Sequence, residues 1–332
     1  MRRLQINVLG EPAKALELVE FDVLTPDPGQ VLVQMEAATL NEADVLYIAG
    51  KFYVTPEPPA ATVGAEGVGR VLAAGSPADQ ALVGSRVIFV PFPTRGSFAT
   101  HTVVNAEDVI TVPEHVDASQ LAMLGIAGMT AYQLIRGHGD PMAAGRWIGQ
   151  TQGSSGIGEY IVKTAKRYGW KTLNVVRRPE SVDMVRSWGA DAVVVGDDDL
   201  RDNVARALGQ DELDIVVDAV SGDVGQVLVD KLRYGGTVVS FVPSSRNPPV
   251  QVPGNLIGRQ VKWTGFSLVN WITLNDPATR RRAYEDLVNL VADGSLSTRV
   301  HTTFDLSDWK EAFAMVTGDV RRDGKVLFVY DK

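Results

Sequence analysis

The sequence predicts an α/β protein in which a doubly wound parallel sheet is inserted into a split, mainly antiparallel β domain. Three observations predict it. The first part of the chain is cut into short strand-like runs by turn residues, the texture then changes to alternating helix and strand, and the final stretch returns to the style of the first. With 332 residues, 45% of them hydrophobic, the chain is too long for one ordinary core and has enough apolar content to bury two. The expected division is a first β part over 1–119, the parallel-sheet domain over 120–266 and a second β part over 267–332.

The elements follow in order. Strand-like runs are "LQINVLG", "ALELVEFDV" and, after the turn "DPG", "QVLVQMEAATL"; "GVGRVLAAG", "GSRVIFV" and "SFATHTVVN" complete the first part. "ASQLAMLGIAGMTAYQLI" reads as a helical stretch, and "RWIGQT" as the strand that delivers the chain to the glycine-rich "TQGSSGIGEY". Beyond it come helix "GEYIVKTAKRYG", strand "KTLNVV", helix "ESVDMVRSWG", strands "ADAVVV" and "LDIVVDAV", helix "VGQVLVDKLRYG" and strand "GTVVSFV". Helix "ATRRRAYEDLVNLVADG", the run "HTTFDL", helix "SDWKEAFAMVTG" and "GKVLFVY" close the sequence.

Composition removes whole classes of function. A net charge of −8 argues against nucleic acid or an anionic membrane as partner, since either would repel such a surface. The cluster Arg280, Arg281 and Arg282 reads as one solvated helix face. No cysteine is present, which removes disulfides, thiolate catalysis and cysteine-based metal sites together. The four histidines, His101, His115, His138 and His301, show no metal-binding spacing, so no metal is expected. Arg2 and Arg3 lead into an alternating strand pattern instead of an apolar run, and no apolar stretch is long enough to span a bilayer. The expected location is the cytoplasm.

"TQGSSGIG" sits where a strand meets a helix, which is where bare backbone amides and a helix N-terminus can approach a phosphate. Gly153, Gly156 and Gly158 form G-x-x-G-x-G, not the commoner G-x-G-x-x-G, and by themselves suit a plain turn equally well. The end of the next strand chooses the cofactor. A carboxylate roughly twenty residues past the turn would bind a ribose 2′-hydroxyl, whereas a 2′-phosphate needs cations. Here "KTLNVV" ends in Arg177 and Arg178, and guanidinium groups bind phosphate bidentately, so NADPH is expected over NADH. A short-chain dehydrogenase would also carry such a turn, but it needs Tyr-x-x-x-Lys, and Tyr160 is followed by lysine at 163, one residue too early.

Taken together, "LNEADVLYIAGKF", "TVGAEGVGRV", "GSRVIFV", "MTAYQLI", "QTQGSSGIG", "LNVVRRPE", "GFSLVNW" and "GKVLF" make the chain resemble, over nearly its whole length, the zinc-free branch of the medium-chain dehydrogenase/reductase superfamily. That branch holds quinone oxidoreductases and 2-enoyl thioester reductases. The resemblance implies a Rossmann cofactor domain inserted into a GroES-like catalytic domain. Zinc relatives have Gly-His-Glu where this chain has Gly64-Ala65-Glu66, and alanine cannot bind zinc. It implies that Gly153, Ser154, Ser155, Gly156 and Ile157 surround the pyrophosphate and that Arg177 and Arg178 take the 2′-phosphate. Val220, Ser221, Phe241 and Val242 would lie along adenosine and nicotinamide, with Lys325 as a late cofactor contact. Asn41 and Thr130 would stand at the nicotinamide, and Phe266, Leu268 and Trp271 would wall the acyl pocket.

One departure matters. The family's proton-donor tyrosine falls on Phe52 in "GKFY", and phenylalanine has no proton to give. Tyr53 or Tyr47 would have to supply the phenol, with both equally readable as packing aromatics, and Phe52 and Tyr53 would line the substrate pocket. The expected activity is NADPH-dependent reduction of the activated C=C of an α,β-unsaturated carbonyl compound, an enoyl thioester for choice. The alternatives are an NADPH:quinone oxidoreductase of the same fold and an NADPH-binding protein with little catalysis. A homodimer is expected, through the sheet edge near "VKWTGFSL".

Overall fold

The computed structural model describes residues 1–22, 24–138, 145–242, 253–318 and 322–330. The chain forms two compact units, one of Met1–Ile126 with Ile272–Lys332, the other of Ala127–Trp271. Each has its own core, and the first also carries, beside its main sheet, a small one of Leu16–Glu20, Arg2–Ile6 and Ala61–Thr62.

In the second unit the apolar runs become parallel strands because helices cover the sheet. Among the described residues it has six strands in the spatial order Ala192–Val195, Lys171–Val176, Trp147–Gln150, Leu213–Asp218, Leu232–Ser240, Lys262–Gly265. All pairings are parallel. The chain builds outward from Trp147–Gln150 in one direction, then returns to its other side and builds outward again. That reversal makes a switch point beside the first strand, where loops leave the carboxyl ends in opposite directions and open a crevice. Leu173, Val216, Val238 and Leu228, all buried, form the core beneath.

The first unit is the opposite in style. A seven-stranded sheet, counted among the described residues, is built around the long strand Gln30–Leu40, which pairs antiparallel with Gly67–Ala74, His101–Asn105 and Lys325–Val329. Lys325–Val329 comes from the far end of the chain, so the two sequence segments share one sheet. A crossover helix, Trp309–Thr317, joins the parallel pair Val300–Phe304 and Lys325–Val329. The core runs from Leu4 and Ile6 through Val33 and Phe98 to Phe313 and Phe328.

The structure corrects four local readings. Helix "VGQVLVDKLRYG" stops at Val229, and Leu232–Ser240 is a strand. Leu232 is fully buried beside Leu213, a burial of about 2 kcal/mol that outweighs helix propensity. The stretch from 118 to 135 is not one helix: α-helices Ala118–Ala122 and Met129–Arg136 flank a π-helical turn, Leu124–Gly128. The arginine trio is not a solvated face. Arg280 pairs with Asp108 at 3.1 Å and Arg281 donates to the Val109 carbonyl at 3.1 Å, so helix Pro277–Ala292 uses them to dock, and Arg282 is exposed. The strand read as far as Val23 ends at Glu20; Val23 lies outside the described residues.

Candidate active site

The glycine turn lies at the switch point of the second unit. Trp147–Gln150 delivers the chain to it, and helix Gly156–Arg167 departs from it, with Ser155 as N-cap accepting the Gly158 N–H at 2.9 Å. A Cβ at Gly158 would stand 2.6 Å from the Gln152 carbonyl oxygen and 2.8 Å from that of Gly153, so only glycine lets the helix start so close to the strand. At Gly153 a Cβ would meet the Asn174 Cβ at 2.8 Å. Ser154 and Ile157 complete the turn around the amino end of the helix, where free N–H groups and the helix dipole favour an anion.

Two buried amides that sequence reading missed hold the turn from below. Gln150 donates to the Gly158 carbonyl at 3.1 Å and to the Asn174 Oδ1 at 2.6 Å, and Asn174 donates to Thr172 and to the Ala192 carbonyl. Polar residues inside a parallel strand are the signal that could have revealed them, because a doubly covered strand is otherwise apolar.

Of the other residues named from sequence, those that follow the parallel strands stand at the carboxyl ends of the same sheet. Arg177 and Arg178 follow Lys171–Val176, are exposed, and pair with no carboxylate among the described residues. Val220 and Ser221 form the turn after Leu213–Asp218, Phe241 and Val242 follow Leu232–Ser240, and Phe266 follows Lys262–Gly265, its amide donating to the Ser240 carbonyl at 2.9 Å. Leu268 and Trp271 lie on helix Leu268–Leu274, partly buried. Thr130 is buried near the start of Met129–Arg136. The donor set fits a dinucleotide phosphate: a cradle closed to any Cβ, a helix N-terminus and two guanidinium groups that meet no carboxylate among the described residues.

In the first unit, Asn41 caps helix Glu42–Ile48 through a capping box with Asp44. Its side-chain amide is engaged on both ends, the Nδ2 donating to Glu66 at 2.7 Å and the Oδ1 accepting from Lys325 at 2.8 Å. Glu66 also accepts the Ile126 N–H at 2.7 Å. That carboxylate, reaching an amide of the π-helical turn, is the physical reason for the interruption seen in the fold. A Cβ at Gly125 would stand 2.8 Å from the same Glu66 oxygen, so the close approach requires glycine, and Tyr284 donates to the Gly125 carbonyl at 2.9 Å. Burial pushes the Glu66 carboxyl up to about 7 against the pull of the Lys325 ammonium, and it pushes Asp44 to about 7 as well. Burial also lowers Lys325. Sequence reading named Asn41 and Lys325 but not the carboxylates that hold them.

This donor set does not fit zinc. Ala65 offers no ligand, Glu66 is spent on Asn41 and a backbone amide, and a lysine occupies the neighbourhood. Among the described residues no group of three or more His, Asp or Glu is arranged for a metal ion.

The aromatic candidates separate. Tyr47 is 2% exposed, in the core, where burial and then the Glu57 carboxylate raise its phenol above the ordinary value. Phe52 packs partly buried against that core, and Tyr53 is 72% exposed with its ring edge-on to Phe52 at 5.1 Å.

Residues 27–114 match the alcohol dehydrogenase GroES-like domain, and residues 156–292 match the zinc-binding dehydrogenase family. The human mitochondrial enoyl-[acyl-carrier-protein] reductase is 30% identical over 314 residues, 91% of this chain and 82% of that protein. Among solved structures, a putative NADPH:quinone reductase from Bacillus thuringiensis is 22% identical with a TM-score of 0.88, and the mitochondrial 2-enoyl thioester reductase Etr1p/Etr2p heterodimer from Candida tropicalis is 22% identical with a TM-score of 0.85. Each covers 99% of this chain and 99% of its own. A parallel sheet that reverses at a glycine turn, set into a β unit shared by both ends of the sequence, is thus met again in relatives matched along almost all of it, and the chain belongs to the medium-chain dehydrogenase/reductase superfamily.

Proposed function

We propose that the chain is a zinc-independent, NADPH-dependent reductase that transfers hydride to the activated C=C of an α,β-unsaturated carbonyl compound, with enoyl thioesters as the substrate class. The observation that carries this is the kinship with the human enoyl-[acyl-carrier-protein] reductase along 91% of the chain. Arg177 and Arg178 past the glycine turn, which pair with no carboxylate among the described residues, support the phosphorylated cofactor, because guanidinium groups bind a 2′-phosphate bidentately. NADPH bound along this edge would supply the hydride.

The chain's own residues have three tasks. The glycine turn and the start of Gly156–Arg167 hold phosphate, and the arginines select it. As the β-carbon of the acceptor is reduced its carbonyl oxygen gains charge, and a preorganised donor there is worth roughly 3 kcal/mol. Asn41 has its amide committed inside the protein, whereas the Lys325 ammonium donates only one bond, to Asn41, among the described residues and keeps further N–H groups for a ligand. A proton must also reach the α-carbon. Phe52 cannot give one, and the buried Tyr47 holds its proton more tightly than usual, so exposed Tyr53 is the better placed phenol.

The phenylalanine favours a second reading. A quinone takes hydride without needing a carbon-bound proton, since water can protonate its oxygens, so the loss at Phe52 leaves an NADPH:quinone oxidoreductase unharmed. We assign the same protein to a homodimer in the cytoplasm. The dimer is supported by strand Lys262–Gly265, which is the outermost of its sheet among the described residues and on which Trp263 is 45% exposed. A screen of NADPH oxidation over enals, enones, enoyl thioesters and quinones decides among the readings. Turnover of enoyl thioesters that falls in Tyr53→Phe with NADPH affinity intact supports the first. Turnover of quinones alone supports the second, and NADPH binding without turnover leaves a cofactor-binding protein.

A further inference from the structure

Ser221 has φ 61° and ψ −161°, a backbone region open to glycine and strained for any residue with a Cβ. Gly222 follows with φ 61°. Strain of this kind persists only where neighbours impose it, and here one buried carboxylate does. Asp218 is 1% exposed; its Oδ1 accepts the Val220 N–H at 3.1 Å, the Ser221 N–H at 2.9 Å and the Thr151 hydroxyl at 3.0 Å. Its Oδ2 accepts the Ser221 hydroxyl at 3.3 Å. Thr151 accepts the Ala219 N–H at 2.9 Å in return, and it stands two residues before Gly153. Asp218 therefore ties together two loops that leave adjacent parallel strands at their carboxyl ends, the glycine turn and the turn 218–222.

A glycine at 221 would take this backbone shape without help. The chain instead carries serine and a carboxylate that gathers two amides and two hydroxyls, which fixes where Val220 and Ser221 face along the edge. We propose that Asp218, with Thr151, is a positioning residue for the dinucleotide: it locks the turn 218–222 against the glycine turn so that the bound cofactor has one pose. This rests on the reading of that edge as the NADPH site. Asp218 touches no reacting atom in this account and acts through the loops it holds.

The test is NADPH titration by fluorescence, with steady-state kinetics, on the full chain and four variants. Asp218→Asn keeps the side-chain shape but removes the charge, leaving three donors on one neutral oxygen and an amide NH2 where the Ser221 hydroxyl now donates to Oδ2, so NADPH should bind about tenfold or more weakly while KM for the acceptor holds. Adding Ser221→Gly to Asp218→Asn should recover most of that affinity, because glycine adopts the turn unaided, whereas a carboxylate needed only for folding would gain nothing from it. Ser221→Gly alone is the reference against which the double variant is compared. Thr151→Val severs the tie between loops and should weaken NADPH in the same direction; it decides the matter if Asp218→Asn does not fold. NADPH affinity unchanged in Asp218→Asn or, failing that protein, in Thr151→Val, or no recovery in the double variant, overturns the proposal while leaving the site standing. A wild-type chain that takes no NADPH overturns both.

Discussion

At the scale of the residue, charge without a partner is the most informative feature. Most buried or half-buried cations in this protein are matched: Arg86 with Glu36 at 2.8 Å, Arg95 and Arg280 with Asp108 at 2.7 and 3.1 Å. Arg177 and Arg178 are exposed, side by side at the end of a parallel strand, and meet no carboxylate among the described residues. Replacing both by alanine should weaken NADPH by roughly ten- to a hundredfold and leave NADH nearly unchanged, as charge-assisted hydrogen bonds to phosphate would require. Equal weakening of the two cofactors in a binding titration would show that neither arginine reads the 2′-phosphate. Glu66 gives a second prediction. Its carboxyl is raised from 4.5 to about 7, chiefly by burial, so the folded state keeps that proton longer than the unfolded chain does. Its contribution to stability is whole below about pH 4.5 and is lost as the pH climbs through about 7, a change of roughly 3 kcal/mol for the shift. Asp44 acts in the same sense. Glu66→Gln should flatten the fall of Tm with pH across that window, and an unchanged slope in thermal unfolding would contradict the assignment.

At the scale of the element, what could be read from the sequence depended on how local the deciding force was. Strand Lys171–Val176 and strand Gln30–Leu40 have the boundaries expected of them, because apolar periodicity and flanking turn residues settle both within a few positions. Leu232 was misread because its place is settled by Leu213, nineteen residues earlier, and no local pattern reports that pairing. The π-helical turn was illegible for the same reason, being made by a carboxylate from Glu66. Arg280 and Arg281 look solvated in a polar helix until Asp108 and Val109 are folded beneath them. The glycine turn was legible, but its support from Gln150 and Asn174 was not, since a polar residue in a buried strand shows its purpose only when its partner is known. Edge strand Lys262–Gly265 carries a prediction of its own. Among the described residues no further strand pairs with its outer side, Trp263 lies on it 45% exposed, and the proposed dimer would cover both. Trp263→Asp should yield a folded monomer in sedimentation, and a dimer of unchanged strength would place the interface elsewhere.

At the scale of the whole molecule, the sequence announces two styles of architecture, and the structure gives each its own core and its own part of the chemistry. The α/β unit offers a glycine turn at a strand-order reversal, where parallel sheets of this kind collect ligands, and it is there that we propose the phosphates bind. The β unit offers a buried knot of Asn41, Asp44, Glu66 and Lys325 where zinc relatives would need a histidine. The absence of cysteine and the alanine at 65 were visible at once, and they direct attention to an acceptor that is already activated by conjugation. The acceptor itself, like the source of its second hydrogen, is settled by shape and contacts that composition and spacing do not encode. Labelling decides it most directly. Reduction of a trans-2-enoyl thioester with NADPH carrying deuterium at the transferring position should give the saturated thioester with a single deuterium at the β-carbon and a solvent hydrogen at the α-carbon. NADPH left unoxidised, or a product without deuterium at the β-carbon, would contradict the account.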